Sequence, residues 1–440
     1  MRRLVLAALL SGCSAPPPGG GSPANIVLIL ADDLGYGDVA CYGCPDIRTP
    51  SIDLLAARGV RFTQFYSNGP ECTPTRTALL TGRYPQRVGG LECAIGLGGV
   101  GRYDDAARLA AKGELGLPVE ETSLARLLRD AGYETAVFGK WHLGYERKFL
   151  ADRHGFDRSF GPLGGAVDYF HHVEPGGAPM LREDGEPVKR EGYLTDLVTE
   201  AAVAFLRGPR AKPFFLYVPY TAPHSPYQGP DDRRDRPLTQ EEWDKGDRKT
   251  FAAMVERMDR GVGEILRALD ETGLSGNTLV VFTSDNGGDP RGRNLPFSGR
   301  KGGLYEGGIR VPCIARRPGV LRAGTASDRV GITMDLTASI VRIAGARTPR
   351  PLDGIDLLGD APRDRPLFWR ARRGTVTWRA ARGGPLKYVS RQDGAALEEH
   401  LFDLDRDPAE KSDLLGSRGA DAARLKSLLA AWEVDVRPAR

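Results

Sequence analysis

Charge of one sign is what this sequence most plainly lacks. Its 61 Lys and Arg are nearly matched by 57 Asp and Glu, a formal net charge of +4 over 440 residues. A chain so close to balance has no broad field with which to attract nucleic acid, so any recognition of an anion must be local. Cysteine is scarce as well. Six cysteines in the whole chain are too few to staple a fold of this size. Cys41 and Cys44 have CxxC spacing, but no second pair and no paired histidines complete a zinc site. They read as a local disulfide or as free thiols, with a redox or metal role as the remaining alternative. Long apolar runs are missing too: beyond residue 10 nothing approaches the ~20 residues of a membrane-spanning helix. No internal repeat is visible.

The N-terminus carries a short signal. Arg2 and Arg3 precede an apolar stretch over residues 4–10, followed by Leu10-Ser11-Gly12-Cys13 and the tract SAPPPGGGSP. This suits a secretory signal, and its ending resembles the lipobox of bacterial lipoproteins, in which the cysteine, here Cys13, is acylated. Residues 1–24 are therefore expected to be a lipoprotein signal peptide and Pro/Gly tether. The expected placement is that of an exported bacterial lipoprotein in the periplasm, outer membrane or cell surface, touching the membrane only through the lipid. A plain cleaved signal is the alternative.

The body alternates buried-strand and helix patterns. Continuous apolar runs over residues 25–30, 134–138, 214–218 and 279–282 read as strands covered on both faces. Residues 123–131, 194–206 and 251–269 have apolar positions at helical spacing. Together they predict an α/β fold with a large mixed, mostly parallel sheet sandwiched by helices, over residues 25–362. From 363 to 440 the pattern becomes short strands at 366–369, 375–380 and 386–389, then a helix at 421–432. That is a smaller C-terminal α+β subdomain, an antiparallel sheet plus helix.

Each buried run leads into polar residues. The first ends in Asp32 and Asp33 within ADDLGYGD, the second leads to Lys140 and His142 within GKWHLG, the third to His224 within TAPHSPY, and the fourth ends in Asp285 and Asn286 within SDNGG. Ligands of open α/β sheets bind outside the carboxyl ends of the strands. Singly, such residues are as readily turn and cap residues. Jointly they place oxygen donors that suit calcium or magnesium better than zinc. The segment CTPTRTALLTGR has a readable local physics: Thr73 can cap a helix, Pro74 suits its first position, and Gly82 can end it. Cys72 then precedes a helix N-terminus, where free N–H groups favour an anion, and Arg76 follows one turn later. The plain alternative is a buried cysteine beside a capped helix.

CTPTR followed by TGR resembles the signature of the sulfatase family. DDLGYGD, GKWHLG, the APH segment, SDNGG, GRKGGLYEGGIRVP and HLFDLDRDPAEKSDL resemble further sulfatase segments in the same order. The resemblance implies that a formylglycine-generating enzyme converts Cys72 to formylglycine. It also implies that Asp32, Asp33, Asp285, Asn286 and modified Cys72 hold calcium. Lys140, His142, His224 and Lys301 would surround the sulfate, with Arg76 steering the nucleophile. The implied chemistry is sulfate-ester hydrolysis by a formylglycine gem-diol. In it Asp285 accepts the proton of the attacking hydroxyl, His142 is the base of the elimination step, and His224 with Lys301 serves the leaving oxygen.

The expected substrate is a sulfated small molecule or oligosaccharide, with pocket walls at residues 94–117 and 161–191, including Asp168, Tyr169, His171 and His172. Two alternatives stay open. One is a phosphoesterase or phosphonate hydrolase on the same fold. The other is a catalytically silent binder of sulfated glycan using Arg370, Arg372, Arg373, Arg379 and Arg382, residues that otherwise read as a solvated strand face.

Overall fold

The computed structural model describes residues 23–96, 101–359 and 365–438. The four apolar runs form the strands Asn25–Ala31, Glu134–Phe138, Phe214–Pro219 and Thr278–Ser284. They lie parallel at the centre of a 10-stranded sheet, in the spatial order 278–284, 25–31, 214–219, 134–138. Nearly all of their residues are buried, as β-branched and aromatic runs must be when both faces of a strand are covered. Antiparallel neighbours flank this centre: Cys313–Arg316 beside Thr278–Ser284, and Leu181–Glu183 beyond Arg158–Pro162. Two long helices, Leu194–Arg207 and Arg248–Glu271, pack on each other. The second starts where Asp247 Oδ1 accepts the Thr250 amide at 2.8 Å, the standard way to satisfy a free N–H of the first turn. No helix among the described residues is long and apolar enough to cross a membrane. Cys41 and Cys44 are free thiols, and burial pushes Cys41 up to about 12.

The C-terminal part is an antiparallel four-stranded meander, Leu367–Arg373, Val376–Gly383, Leu386–Asp393 and Ala396–Asp403, covered by the helix Gly419–Asp435. Sequence reading gave three strands. The fourth opens with exposed residues, so it carries almost no apolar alternation until its last turn into the core. The boundary expected at 362/363 falls outside the described residues, as does Cys13.

The arginines of this sheet are not a uniformly solvated face. Arg370 is buried and forks onto Glu92 at 2.7 and 2.8 Å. Arg382 is buried against the Tyr66 hydroxyl at 2.5 Å, and Arg379 meets Glu433 at 3.0 Å. The first two reach residues of the larger domain and clasp the meander to it, whereas Arg379 ties the meander to its own C-terminal helix. The subdomain's apolar core is shared as well, taking in Tyr66, Ala78 and Ile332 beside Trp369 and Val389. Ala78 belongs to the helix Cys72–Thr81, so this packing also backs that helix. The deepest clasp is Lys387, fully buried, with Nζ 2.8 Å from Glu306 and 2.9 Å from Glu410.

Removing one partner from a buried ionic cluster costs about 3–5 kcal/mol, because the partner charges stay buried. Lys387→Met is expected to lower the unfolding free energy from urea melts by that order at pH 7, with a matching fall in the midpoint. A midpoint equal to wild type would show that the clasp holds nothing.

Candidate active site

Adjacent strands lie about 4.8 Å apart, so the four carboxyl ends span about 14 Å along one rim. The backbone ladder continues past the strands. Asp285 N donates to Ala31 O at 3.1 Å, Asp32 N to Ala222 O at 3.1 Å, and Lys140 N to Pro219 O at 2.7 Å. These bonds fix where the first loop residues of each strand point. Gly139 makes the last one possible: its φ is +134°, and a Cβ there would lie 2.0 Å from Pro219 O. Asp33 and His142 have φ of 63° and 57°, a conformation that L-residues adopt only where the surroundings hold them, often at functional sites.

Helix Cys72–Thr81 begins at Cys72, with Glu71 as its N-cap. The expectation that Thr73 caps and Pro74 opens the helix is therefore corrected. The Thr73 hydroxyl has other work, donating to His142 O at 3.2 Å and accepting the Ile95 amide at 3.2 Å. Gly82 ends the helix at φ 68°, as its sequence implies. Cys72 is buried. Its Sγ lies 3.3 Å from Asp32 Oδ1 and 3.3 Å from Lys140 Nζ, and Lys140 Nζ also grips Asp32 Oδ2.

The remaining predicted residues join this cluster. Arg76 donates through Nε and Nη2 to Asp285 Oδ2 at 3.1 and 2.8 Å, and lies 3.5 Å from Asp32. Its hydrogen bonds thus order the carboxylates beside Cys72. Asp33 Oδ2 meets Lys301 Nζ at 2.7 Å and His224 Nε2 at 3.5 Å, while Asp33 Oδ1 accepts from Asn286 Nδ2 at 2.7 Å. Asp33 N points at Asp285 Oδ1, 3.3 Å away. The carboxylate touching Cys72 is Asp32, whereas Asp285 is engaged by Arg76. His142 Nε2 donates to Ile95 O, and His224 Nδ1 to Ser225 O at 2.5 Å.

Burial and neighbours set the charges. Burial, then Asp32, pushes the Cys72 thiol well up, and a thiol held protonated is a weak nucleophile. Burial would raise Asp33, but Lys301 and His224 outweigh it and hold it below the carboxylate range. Burial, then Asp32, pushes Asp285 up to about 6 despite Arg76. Burial opposes the charge of Lys301, yet Asp33 holds its proton well above the usual range. Burial and Lys301 bring His224 down to about 4, and burial and Lys140 bring His142 well down, so both imidazoles are neutral at pH 7.

A cleft of about 540 Å³ opens onto Cys72, His142, His224 and Lys301. Residues 94–96 and 165–166 line it, as the loop expectation placed them. Gly165 is needed there, since a Cβ would sit 2.6 Å from the His142 ring. Tyr169 backs the site from behind, its hydroxyl donating to His224 O at 2.9 Å. His171 turns to Asp168 at 3.2 Å and lines a different hollow. Sequence reasoning missed Glu71, Tyr145 and the placement of Arg373 in this cleft, and reached Glu174 only through its segment 161–191. Only Glu71, adjacent to Cys72, carried any signal.

A family model described as Sulfatase matches residues 24–346. The chain is similar to N-acetylgalactosamine-6-sulfatase of Canis lupus familiaris, 35% identical over 93% of this chain and 84% of the relative. It is similar to steryl-sulfatase of Mus musculus, 34% identical over 93% and 82%, and to arylsulfatase A of Bos taurus, 32% identical over 93% and 86%. Among solved structures, Ps i-CgsB in complex with k-i-k-neocarrahexaose has a TM-score of 0.81 and 31% identity, covering 95% of this chain and 94% of that one. PsFucS1 sulfatase from Pseudoalteromonas sp. has a TM-score of 0.73 and 26% identity, covering 95% and 92%.

The donor set fits a hard divalent cation. Among the described residues Asn286 Oδ1 is buried without a hydrogen-bond partner, on a side chain whose Nδ2 lies 2.7 Å from Asp33 Oδ1. Single ligand atoms of Asp32, Asp33, Cys72 and His224 all lie within 4.8 Å of one another. Arg76, Lys140 and Lys301 already balance the three aspartates, so an added divalent ion leaves the site positive, as an anionic substrate requires. Calcium added to chelated protein is expected to raise the unfolding temperature, since binding at 100-fold over Kd adds about 2.7 kcal/mol. Asn286→Ala should shrink that shift. Stabilisation by zinc alone, or a calcium shift unaltered by Asn286→Ala, would contradict the assignment.

Proposed function

The chain belongs to the sulfatase family, and on that premise we propose that it hydrolyses a sulfate ester of a carbohydrate with a formylglycine formed from Cys72 as nucleophile and calcium beside it. The observation that carries this reading is Cys72 itself, the first residue of a helix, touching both Asp32 and Lys140 in an open cleft. A carbohydrate is favoured because Ps i-CgsB, 31% identical, was solved with a neocarrahexaose. A formylglycine-generating enzyme is the partner this proposal needs, and the Cys13 motif adds an exported, lipid-anchored placement to it.

A sulfate ester repels an approaching nucleophile, and Arg76, Lys140 and Lys301 offset that repulsion in a buried, preorganised site. The hydrated aldehyde would supply one oxygen to attack sulfur and a second whose return to a carbonyl expels sulfate. Calcium held by Asp32, Asp33, Asp285 and Asn286 would polarise the sulfate oxygens. Asp32 and Asp285 form the carboxylate pair that takes the proton of the attacking hydroxyl, with Asp32 Oδ1 the oxygen in contact with the Cys72 side chain. His142 donates a hydrogen bond from Nε2 to Ile95 O, so its proton-accepting atom is Nδ1, which has no partner among the described residues. His224 donates from Nδ1 to Ser225 O, so its Nε2 holds a lone pair; the protonated Lys301 is the source of the proton, which passes to the leaving oxygen through Nε2.

Two comparisons test this. On sulfate and phosphate esters of one alcohol, kcat/KM is expected to favour sulfate; preference for phosphate would overturn the reading. A sugar alkoxide needs a proton as the S–O bond breaks, whereas a nitrophenolate needs little help, and general acid catalysis contributes about 10²–10⁴-fold. His224→Ala should therefore cost far more on a sugar sulfate than on nitrophenyl sulfate, while His142→Ala costs both alike. Equal losses for His224→Ala would make it an anion-binding residue only.

A further inference from the structure

Arg373 lines the same cleft as Cys72, His142, His224 and Lys301, yet it comes from the C-terminal sheet, as the last residue of the strand Leu367–Arg373. It differs from its neighbours in that sheet. Arg370 and Arg382 are buried in the clasp, whereas the Arg373 side chain is 49% exposed. Its aim is nevertheless fixed. Nη1 meets both carboxylate oxygens of Glu71 at 3.0 and 3.1 Å. Glu71 is itself buried and is pinned by the Ala94 amide at 2.6 Å. Because Glu71 immediately precedes Cys72, the guanidinium stands one side chain away from the backbone of the nucleophile.

Both contacts run through Nη1, so among the described residues Nε and Nη2 keep their protons unshared. A guanidinium presents five N–H donors in a planar fork that matches carboxylate and sulfate oxygens. The cations nearer the chemistry are spoken for: Arg76, Lys140 and Lys301 face the aspartates, and they belong to the ester being cut. Arg373, paired instead with Glu71, is an additional positive group in the cleft. Glu174 and Tyr145, hydrogen-bonded at 3.0 Å, add a polar wall to the cleft. A carboxylate and a hydroxyl suit the hydroxyls of a sugar ring. An apolar sterol would bury these charges unpaired, which is costly.

We propose that Arg373 forms a second anion site, which reads a carboxylate or a further sulfate on the sugar unit next to the ester under attack. The inference rests on the cleft being a sulfate-ester site, and it narrows the substrate to a multiply anionic saccharide.

The test uses three disaccharides with the same scissile sulfate. Their neighbouring unit is neutral, carries a second sulfate, or carries a uronate carboxylate. Wild-type kcat/KM is expected to be higher for at least one dianionic substrate than for the neutral one, and the better arm identifies the anion. Losing a charge-assisted contact in Arg373→Gln should cut that preference about 10- to 100-fold, with Arg373→Lys restoring part of it. Wild type treating all three alike would overturn the site without need of any variant. So would Arg373→Gln lowering all three by one factor. Wild type carrying the Cys72 aldehyde but cutting no sulfate ester would instead refute the parent reading, and this site with it.

Discussion

Asp32 is the point on which the site depends. Its carboxylate is fully buried, and Lys140, Arg76 and Cys72 converge on it. A charge without water must be met by other charges and by hydrogen bonds. That requirement explains the neighbours. Lys140 answers Asp32, Arg76 spans Asp32 and Asp285, and Lys301 answers Asp33. Each partner arrives from a different element, Lys140 from a strand end, Arg76 from the Cys72–Thr81 helix and Lys301 from a loop, so the balance exists only in the completed fold. The parallel order of the four central strands is what brings those ends level.

The C-terminal meander is part of the same construction. It shares an apolar core with the back of the Cys72 helix, and its buried ionic clasps reach Glu92, Tyr66 and Glu306. One of its arginines leaves that pattern and faces the cleft, pinned to the residue before Cys72. The smaller part thus helps hold the Cys72 helix and contributes to the wall of the cleft.

Much of this was legible in the sequence, and the reason is physical. Strands buried on both faces read as unbroken apolar runs, and their carboxyl ends must carry the ligand, so the Asp, Lys, His and Asn residues there were visible as a set. The helix after Cys72 was visible too, although its start was misplaced because the Thr73 hydroxyl bonds across to His142 and Ile95 instead of capping. What stayed hidden depends on contacts between distant segments. Nothing near Arg370 in sequence says that Glu92 will bury it, and nothing near Arg373 says that Glu71 will aim it. The strand Ala396–Asp403 was missed because its exposed first half lacks alternation. His171 reads as a site residue from its loop, but Asp168 turns it away.

The central claim is that the Cys72 side chain, fenced by Asp32 and Lys140 and held as a poorly nucleophilic thiol, acts only after conversion to an aldehyde. Mass spectrometry of the Cys72 peptide, from protein made with and without a formylglycine-generating enzyme, tests it directly when activity is measured on the same samples. The account expects sulfatase activity to rise in proportion to the fraction of Cys72 present as formylglycine, reaching none when that fraction is zero. Full activity in protein whose Cys72 is wholly a thiol would contradict it.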